Sequence, residues 1–143
     1  MDKSSYAQMV KEASPGSTVG TNCLKAFLVG GTICGAGQVL YHVLGAAGLS
    51  RDDTGLVTAS ILIAAAVLLT AMGLYQKLGK HAGAGSIVPI TGFANAVASP
   101  AMEYKQEGLV LGVGAKMFVI AGPVIVYGAM ASVLVGLIYY WVR

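Results

Sequence analysis

Long apolar stretches alternate with short polar segments along this chain. Three stretches contain no Asp, Glu, Lys or Arg: residues 26–50, 56–76 and 117–142. Each is long enough for a helix to cross the hydrocarbon core of a bilayer, which takes about 20 residues. The pattern therefore predicts three transmembrane helices, at about 24–46, 56–75 and 123–141.

The segment before the last span is apolar but broken. Residues 83–108 read GAGSIVPITGFANAVASPAMEYKQEG, rich in Gly and Ala and with two prolines. Irregular backbone at membrane depth is tolerated only where it is buried in protein or lines a water-filled cavity. The sequence predicts a re-entrant or half-helix segment at about 81–120. Within it, we expect a helix from about Ile90, after Pro89, and a short helix at about 108–120 that ends at Gly122.

Composition fixes the class of protein. The chain has 143 residues, 56% of them hydrophobic and only 10% charged, whereas soluble domains carry roughly 25% charged residues. We predict an all-α polytopic integral membrane protein. A polar N-terminal arm is expected at 1–21 and a single transmembrane helical domain over 22–143, with Asn22 as N-cap of the first span and a polar loop at 48–55. The net charge of +3 is scattered and forms no basic cluster, so nucleic-acid binding is not indicated.

Motifs that carry catalysis or bind metals are not found in the sequence. It contains no G-x-S-x-G and no H-E-x-x-H, and the apolar segments hold no acidic pair. We predict no enzymatic activity, no cofactor and no metal site. Cys23 and Cys34 lack a metal-ligand spacing and are interpreted as reduced structural cysteines.

Polar residues near membrane depth are the candidates for function. Thr91, Asn95, Ser99 and Glu103 follow one another at intervals of four, which places them on one face of a helix. This stripe could line an aqueous path, or it could be the wet face of a helix that lies on the membrane. A cation at Lys116, in an apolar run, should pair or reach the surface. We hypothesise that Lys116 lies close to Glu103; the alternative is that each is solvated separately at the interface.

The predicted substrate path also draws on two other parts of the chain. An amide in mid-membrane should face protein or water, so Gln38 is included as the contribution of a second helix. The full set is Gln38, Ser86, Thr91, Asn95, Ser99, Glu103 and Lys116.

Small residues at helical spacing predict faces for helix packing, because small side chains let membrane helices approach closely. One face is the GxxxG pair of the first span, and the other lies on the last span. The residues concerned are Gly31, Gly35, Gly128, Ser132 and Gly136.

Two stretches of the sequence resemble a known family. They are NCLKAFLVGGTICGAGQ (22–38) and HAGAGSIVPITGFANAVASPAMEYKQEGLVLGVGAKMF (81–118), and together they cover over a third of the chain. They are similar to the SpoVAC/SpoVAE membrane proteins of bacterial endospores. The TGFAN and EYKQEGLVLG motifs are closer to the SpoVAC branch than to the SpoVAE branch.

The resemblance implies a function that composition does not show. Members of this family move pyridine-2,6-dicarboxylate (dipicolinate), with Ca²⁺, across the inner membrane of the forespore or spore in sporulation and germination. The implied partners are other SpoVA proteins, a SpoVAE-type membrane subunit and a SpoVAD-type soluble subunit, in a homo- or hetero-oligomer. SpoVAC-like proteins are also linked to opening by membrane tension. Two alternatives stay open: a general mechanosensitive osmotic channel, and a non-conducting scaffold subunit of the SpoVA complex.

Overall fold

The chain folds into helices joined by short turns. A computed structural model describes residues 5–6, 9–10, 13 and 18–142, and no strand occurs among them. The predicted arm at 1–21 lies mostly outside these residues. The helices are α1 (Val19–Ala46), α2 (Arg51–Ala71), α3 (Leu74–Ala82), α4 (Ala84–Ile87), α5 (Ile90–Glu103) and α6 (Ala115–Val142), with a 3₁₀ turn at Lys105–Glu107 and a π-helical turn at Leu109–Gly114 before α6.

Among the described residues, three segments are long and apolar enough to cross a membrane. They are Val19–Ala46, Arg51–Ala71 and Ala121–Val142. A 28-residue helix such as α1 is about 42 Å long, more than the roughly 30 Å that a hydrocarbon core requires. The all-α membrane fold with three full spans is confirmed.

The two N-terminal spans begin earlier than the hydropathy pattern predicts. α1 starts at Val19 after Thr18, whose side chain makes no capping bond, so the prediction of Asn22 as N-cap is wrong. α2 starts at Arg51 because the Ser50 hydroxyl accepts a hydrogen bond from the N–H of Asp53 at 3.2 Å. Negative charge in the first helical turn favours this start, and the polar loop is accordingly shorter than 48–55.

The last span is longer than expected. α6 continues from Ala115 to Val142 with Pro123 inside it, so the predicted break at Gly122–Pro123 is wrong. The predicted short helix at about 108–120 is found as the apolar helix Leu109–Val119, but it does not end at Gly122, since the π-helical turn at residues 109–114 runs directly into α6. Membrane helices tolerate proline because neighbouring groups and local adjustments satisfy the backbone groups that it frees.

The interior is built from small residues around α4 and α5. Ala66, Tyr75 and Ala94 form a buried cluster, against which Leu78 packs. α5 lies against α2 and α6, while α4 lies against α1. A Cβ on Gly85 would come within 2.8 Å of the Cα of Ala26. Glycine at this position therefore lets the backbones of α1 and α4 approach each other closely.

Candidate functional site

A large cavity lies along α5, between α3, α4 and the start of α6. Its volume is about 580 Å³. Five of the residues predicted for the substrate path line it: Ser86, Asn95, Ser99, Glu103 and Lys116. Tyr75, Gln76 and Tyr104 add further polar groups to the wall. The structure therefore brings together, around one cavity, polar side chains from four separate parts of the chain.

Tyr75 fixes the wall between α3 and α5. Its hydroxyl donates to the Ser86 carbonyl oxygen at 2.7 Å and lies 3.0 Å from Oγ1 of Thr91. Both side chains are buried. Because the single hydroxyl proton of Tyr75 goes to Ser86, the Thr91 hydroxyl donates to Tyr75 and is used in packing. Thr91 consequently lies behind the cavity wall rather than in it.

Asn95 is held at the cavity by α2. The hydroxyl of Thr70 lies 2.9 Å from Oδ1 of Asn95 and 2.6 Å from the carbonyl oxygen of Ala66. Thr70 is buried and Asn95 is half-buried. One edge of the Asn95 amide is thus anchored, while the side chain still contributes to the wall. Ser99, one turn further along α5, lines the same wall and is half-buried.

Two charged side chains, Glu103 and Lys116, lie at one end of the row of polar groups along the cavity. Glu103 is exposed at the last position of α5, and Lys116 approaches from the first turn of α6. The ammonium of Lys116 lies 4.8 Å from the centroid of the Tyr104 ring, a distance at which a cation is attracted to the ring face. Both charges line the cavity, but in the described part of the chain the contact of Lys116 is with the ring rather than with Glu103.

Gln38 lies apart from the other path residues. Its Nε2 is 2.9 Å from Nε2 of His42 on the same helix. It lines a second cavity of about 290 Å³, together with Thr58 and Pro89. Gln38 and the polar stripe of α5 therefore belong to two different cavities.

The residues predicted for helix packing face outward. A Cβ on Gly31, Gly35, Gly128 or Gly136 would meet no atom within 4 Å, and Ser132 is exposed. Within this chain, close packing is made at other glycines, Gly30, Gly37 and Gly85. The predicted faces are thus open to another chain or to lipid, and their role in association stays a prediction.

Several residues of the site were missed from the sequence. Thr70 and Tyr75 fall within the predicted span 56–75, which carries no charged residue, although Tyr75 lies on α3 in the structure. Tyr104 follows the end of α5. Their proximity to the stripe is not visible in residue spacing. The two cysteines are exposed and free, and the described residues contain no group of three His, Cys, Asp or Glu that could hold a metal ion.

The comparison with known proteins agrees with the membrane architecture. A family profile described as SpoVAC/SpoVAEB sporulation membrane protein matches residues 22–138. The chain belongs to this family. It is also 48% identical over 139 residues to stage V sporulation protein AC of Bacillus subtilis (strain 168), an alignment that covers 96% of this chain and 93% of that protein. No solved structure matches the chain.

The family match confirms the resemblance seen in the two sequence stretches. It covers most of α1, all of α2 to α5 and most of α6, and so includes every residue that lines the large cavity. Together with the three spanning helices, it identifies the chain as an integral membrane protein of a sporulation family.

Proposed function

We propose that this chain is a transport subunit that conducts dipicolinate, with Ca²⁺, across the inner membrane of the forespore and spore. The observation that carries the proposal is the cavity of about 580 Å³ along α5, whose wall combines hydroxyl, amide, carboxylate and ammonium groups. Membership of a sporulation membrane protein family supports the biological setting.

The wall suits the chemistry of this cargo. Dipicolinate is a planar dianion that is largely neutralised when it chelates Ca²⁺. Conduction requires sites that are favourable enough to enter and weak enough to leave. The neutral groups of Asn95 and Ser99 offer weak hydrogen bonds to carboxylate oxygens. At one end, Lys116 can attract the carboxylates and Glu103 can attract Ca²⁺.

The conducting unit is proposed to contain more than one chain. Three spans do not enclose a wide path, and α6 is exposed at every position from Val124 to Val142. The open faces at Gly31, Gly35, Gly128 and Gly136 offer close approach to another helix. We propose that these faces contact further copies of the chain or a SpoVAE-type membrane subunit, in a SpoVA complex that also holds a SpoVAD-type soluble subunit.

Leakage of dipicolinate from vesicles tests the proposal. Purified protein would be reconstituted in liposomes loaded with dipicolinate, and efflux would be followed by terbium luminescence with and without osmotic down-shock. Efflux above that of empty liposomes supports conduction by this chain, and a step on down-shock identifies tension as the trigger. Equal leakage of similar-sized organic anions would instead favour a general osmotic channel.

A scaffold function is the second candidate, because the glycine faces are open while the cavity lies inside the chain. In that case, liposomes that contain this chain alone would stay tight, and any efflux after a SpoVAE-type partner is added would come from the partner. Substitutions at the open glycines would then prevent complex formation, whereas substitutions at Asn95 and Ser99 would have no effect.

A further inference from the structure

α3 has an apolar inner face and a basic outer face. It follows directly on the end of the second span, α2. Tyr75 and Ala82 are buried, and Leu78 packs against the core cluster, whereas Lys77 and Lys80 are exposed. A short amphipathic helix of this kind, placed where a span ends, lies at the boundary between lipid and water.

A basic cleft separates the end of α3 from the start of α1. Its volume is about 380 Å³, and its lining includes Asn22 and Cys23 of α1 and Lys80 and His81 of α3. We call it the boundary cleft. The ring of His81 is held against α3, since its Nδ1 lies 3.0 Å from the carbonyl oxygen of Lys77. None of the acidic residues in the described part of the chain lines the cleft, so its positive charge is available to an anion.

An apolar groove continues from the boundary cleft. The groove has a volume of about 360 Å³ and lies between α1 and α4, and Ala26 and Ala84 line both spaces. Its lining includes no Asp, Glu, Lys or Arg. On α1 it reaches Cys34, about three helical turns beyond Cys23. Because α1 spans the membrane, the groove leads from the boundary towards the membrane interior.

We propose that the boundary cleft and the groove together bind one anionic phospholipid, with the headgroup phosphate at Lys80 and an acyl chain in the groove. Basic pockets between membrane helices bind anionic headgroups. The adjoining groove favours a lipid over a free anion, because a free anion would leave the groove empty. This site shares no lining residue with the large cavity, and it does not depend on the transport of dipicolinate.

Cys23 provides a reporter, because it lines the boundary cleft. In a Cys34→Ser protein, the rate at which N-ethylmaleimide labels Cys23 would be compared between vesicles of phosphatidylcholine alone and vesicles that also contain phosphatidylglycerol. Gln106→Cys, in a protein with both native cysteines changed to Ser, is the control for the lower local pH at an anionic surface. Gln106 is exposed and lines neither the cleft nor the groove.

We expect phosphatidylglycerol to slow the labelling of Cys23 severalfold more than that of the control. Equal slowing at the two positions would overturn the proposal. Slow labelling of Cys23 in both kinds of vesicle would also overturn it, since something other than an anionic headgroup would then fill the cleft.

Matched charge variants locate the phosphate. Lys80→Gln should remove most of the slowing, and Lys80→Arg should keep it. Lys105→Gln removes the same charge from an exposed residue outside the cleft and the groove, and it should keep the slowing. An equal loss in Lys80→Gln and Lys105→Gln would indicate a general effect of surface charge and would overturn the proposal. Lys80 is exposed, so its variants should fold as the unmodified protein does.

Native mass spectrometry identifies the occupant. The full chain in detergent would be titrated with phosphatidylglycerol and, separately, with phosphatidylcholine. We expect one phosphatidylglycerol to be retained, and Lys80→Gln to weaken its binding about fivefold, as for one lysine near an anionic surface. Equal retention of phosphatidylcholine would contradict recognition of the headgroup. Inorganic phosphate that protects Cys23 in phosphatidylcholine vesicles as well as phosphatidylglycerol does would contradict a lipid as the occupant.

Discussion

α5 and α6 are neighbours in sequence and in space, yet their surroundings are opposite. α5 is buried or half-buried at every position except Ile90, Met102 and Glu103, whereas α6 is exposed at every position from Val124 to Val142. α5 carries the small and polar residues, and α6 carries mainly large apolar ones. In a membrane chain, burial follows close backbone approach and hydrogen bonds rather than hydropathy, because lipid is as apolar as the side chains.

The two regions therefore have different roles in the molecule. The α4–α5 region holds the cavity and is fixed to the other helices by Tyr75 and Thr70. The surface of α6 beyond Pro123 contributes nothing to that cavity. Substitutions of the same kind should therefore have very different effects in the two regions.

The largest contrast is expected between two glycines. Gly85→Ala places a Cβ against the backbone of Ala26, with atoms at 2.8 Å and closer. We expect it to destabilise the protein by about 3 kcal/mol or more, since a backbone cannot give way as a side chain can. Gly128→Ala meets open space and should stay within about 0.5 kcal/mol of the unmodified protein. Thermal unfolding in detergent, followed by circular dichroism, measures both, and similar melting temperatures would contradict the described packing of α1 against α4.

Two tyrosines provide the second contrast. Tyr75→Phe removes the donor to the Ser86 carbonyl and the acceptor for Thr91. Because both partners are then left buried and unpaired, the expected loss is about 1–3 kcal/mol. Tyr140, on α6, is 81% exposed, and Tyr140→Phe should change stability little. The same unfolding assay applies, and an equal loss in the two variants would contradict a structural role for Tyr75.

Alanine substitutions at Ser99 and Ser60 distinguish an effect on transport from an effect on stability. Ser99 lines the large cavity, whereas the Ser60 hydroxyl bonds to its own helix at Leu56. Ser99→Ala should lower dipicolinate efflux by about three- to tenfold, since one hydrogen bond is worth about 1 kcal/mol. Its melting temperature should not change. Ser60→Ala should conduct normally, and a Ser99→Ala protein with normal efflux would remove Ser99 from the path.

The smallest effect on the isolated chain is expected on α6. Gly136 faces open space, so Gly136→Leu should change the free energy of unfolding by less than about 0.5 kcal/mol. It should nevertheless weaken association, because a large side chain prevents close helix approach. Co-purification with a tagged second copy or a SpoVAE-type partner measures this. Unchanged association would show that this face contacts lipid.

Long stretches without Asp, Glu, Lys or Arg were sufficient to locate the three spans. The sequence was less reliable at the helix ends. Asn22 lies inside α1, which begins at Val19. Pro123 removes a backbone hydrogen-bond donor from α6 but does not end the helix. Both errors have one cause: a local signal was given more weight than the packing and hydrogen bonds of the surrounding helix.

The candidate site could be predicted only along a single helix. The four-residue spacing of Asn95, Ser99 and Glu103 correctly indicates that they share a face, and all three line the large cavity. The same spacing includes Thr91, whose hydroxyl is used by Tyr75. Which other helix lies opposite depends on tertiary packing, and for this reason Gln38 was assigned to the same path although it lines a different cavity.

Blocking the large cavity chemically is the most direct test of the central claim. Ser99→Cys would be introduced together with Cys23→Ser and Cys34→Ser, and Leu134→Cys, 60% exposed on α6, would serve as the control in the same background. Dipicolinate efflux from vesicles would be recorded before and after treatment with a bulky thiol reagent, and again after reduction. We predict that modification of Cys at position 99 lowers efflux to the level of empty vesicles and that reduction restores it. Unchanged efflux, or an equal block from position 134, would contradict a path along α5.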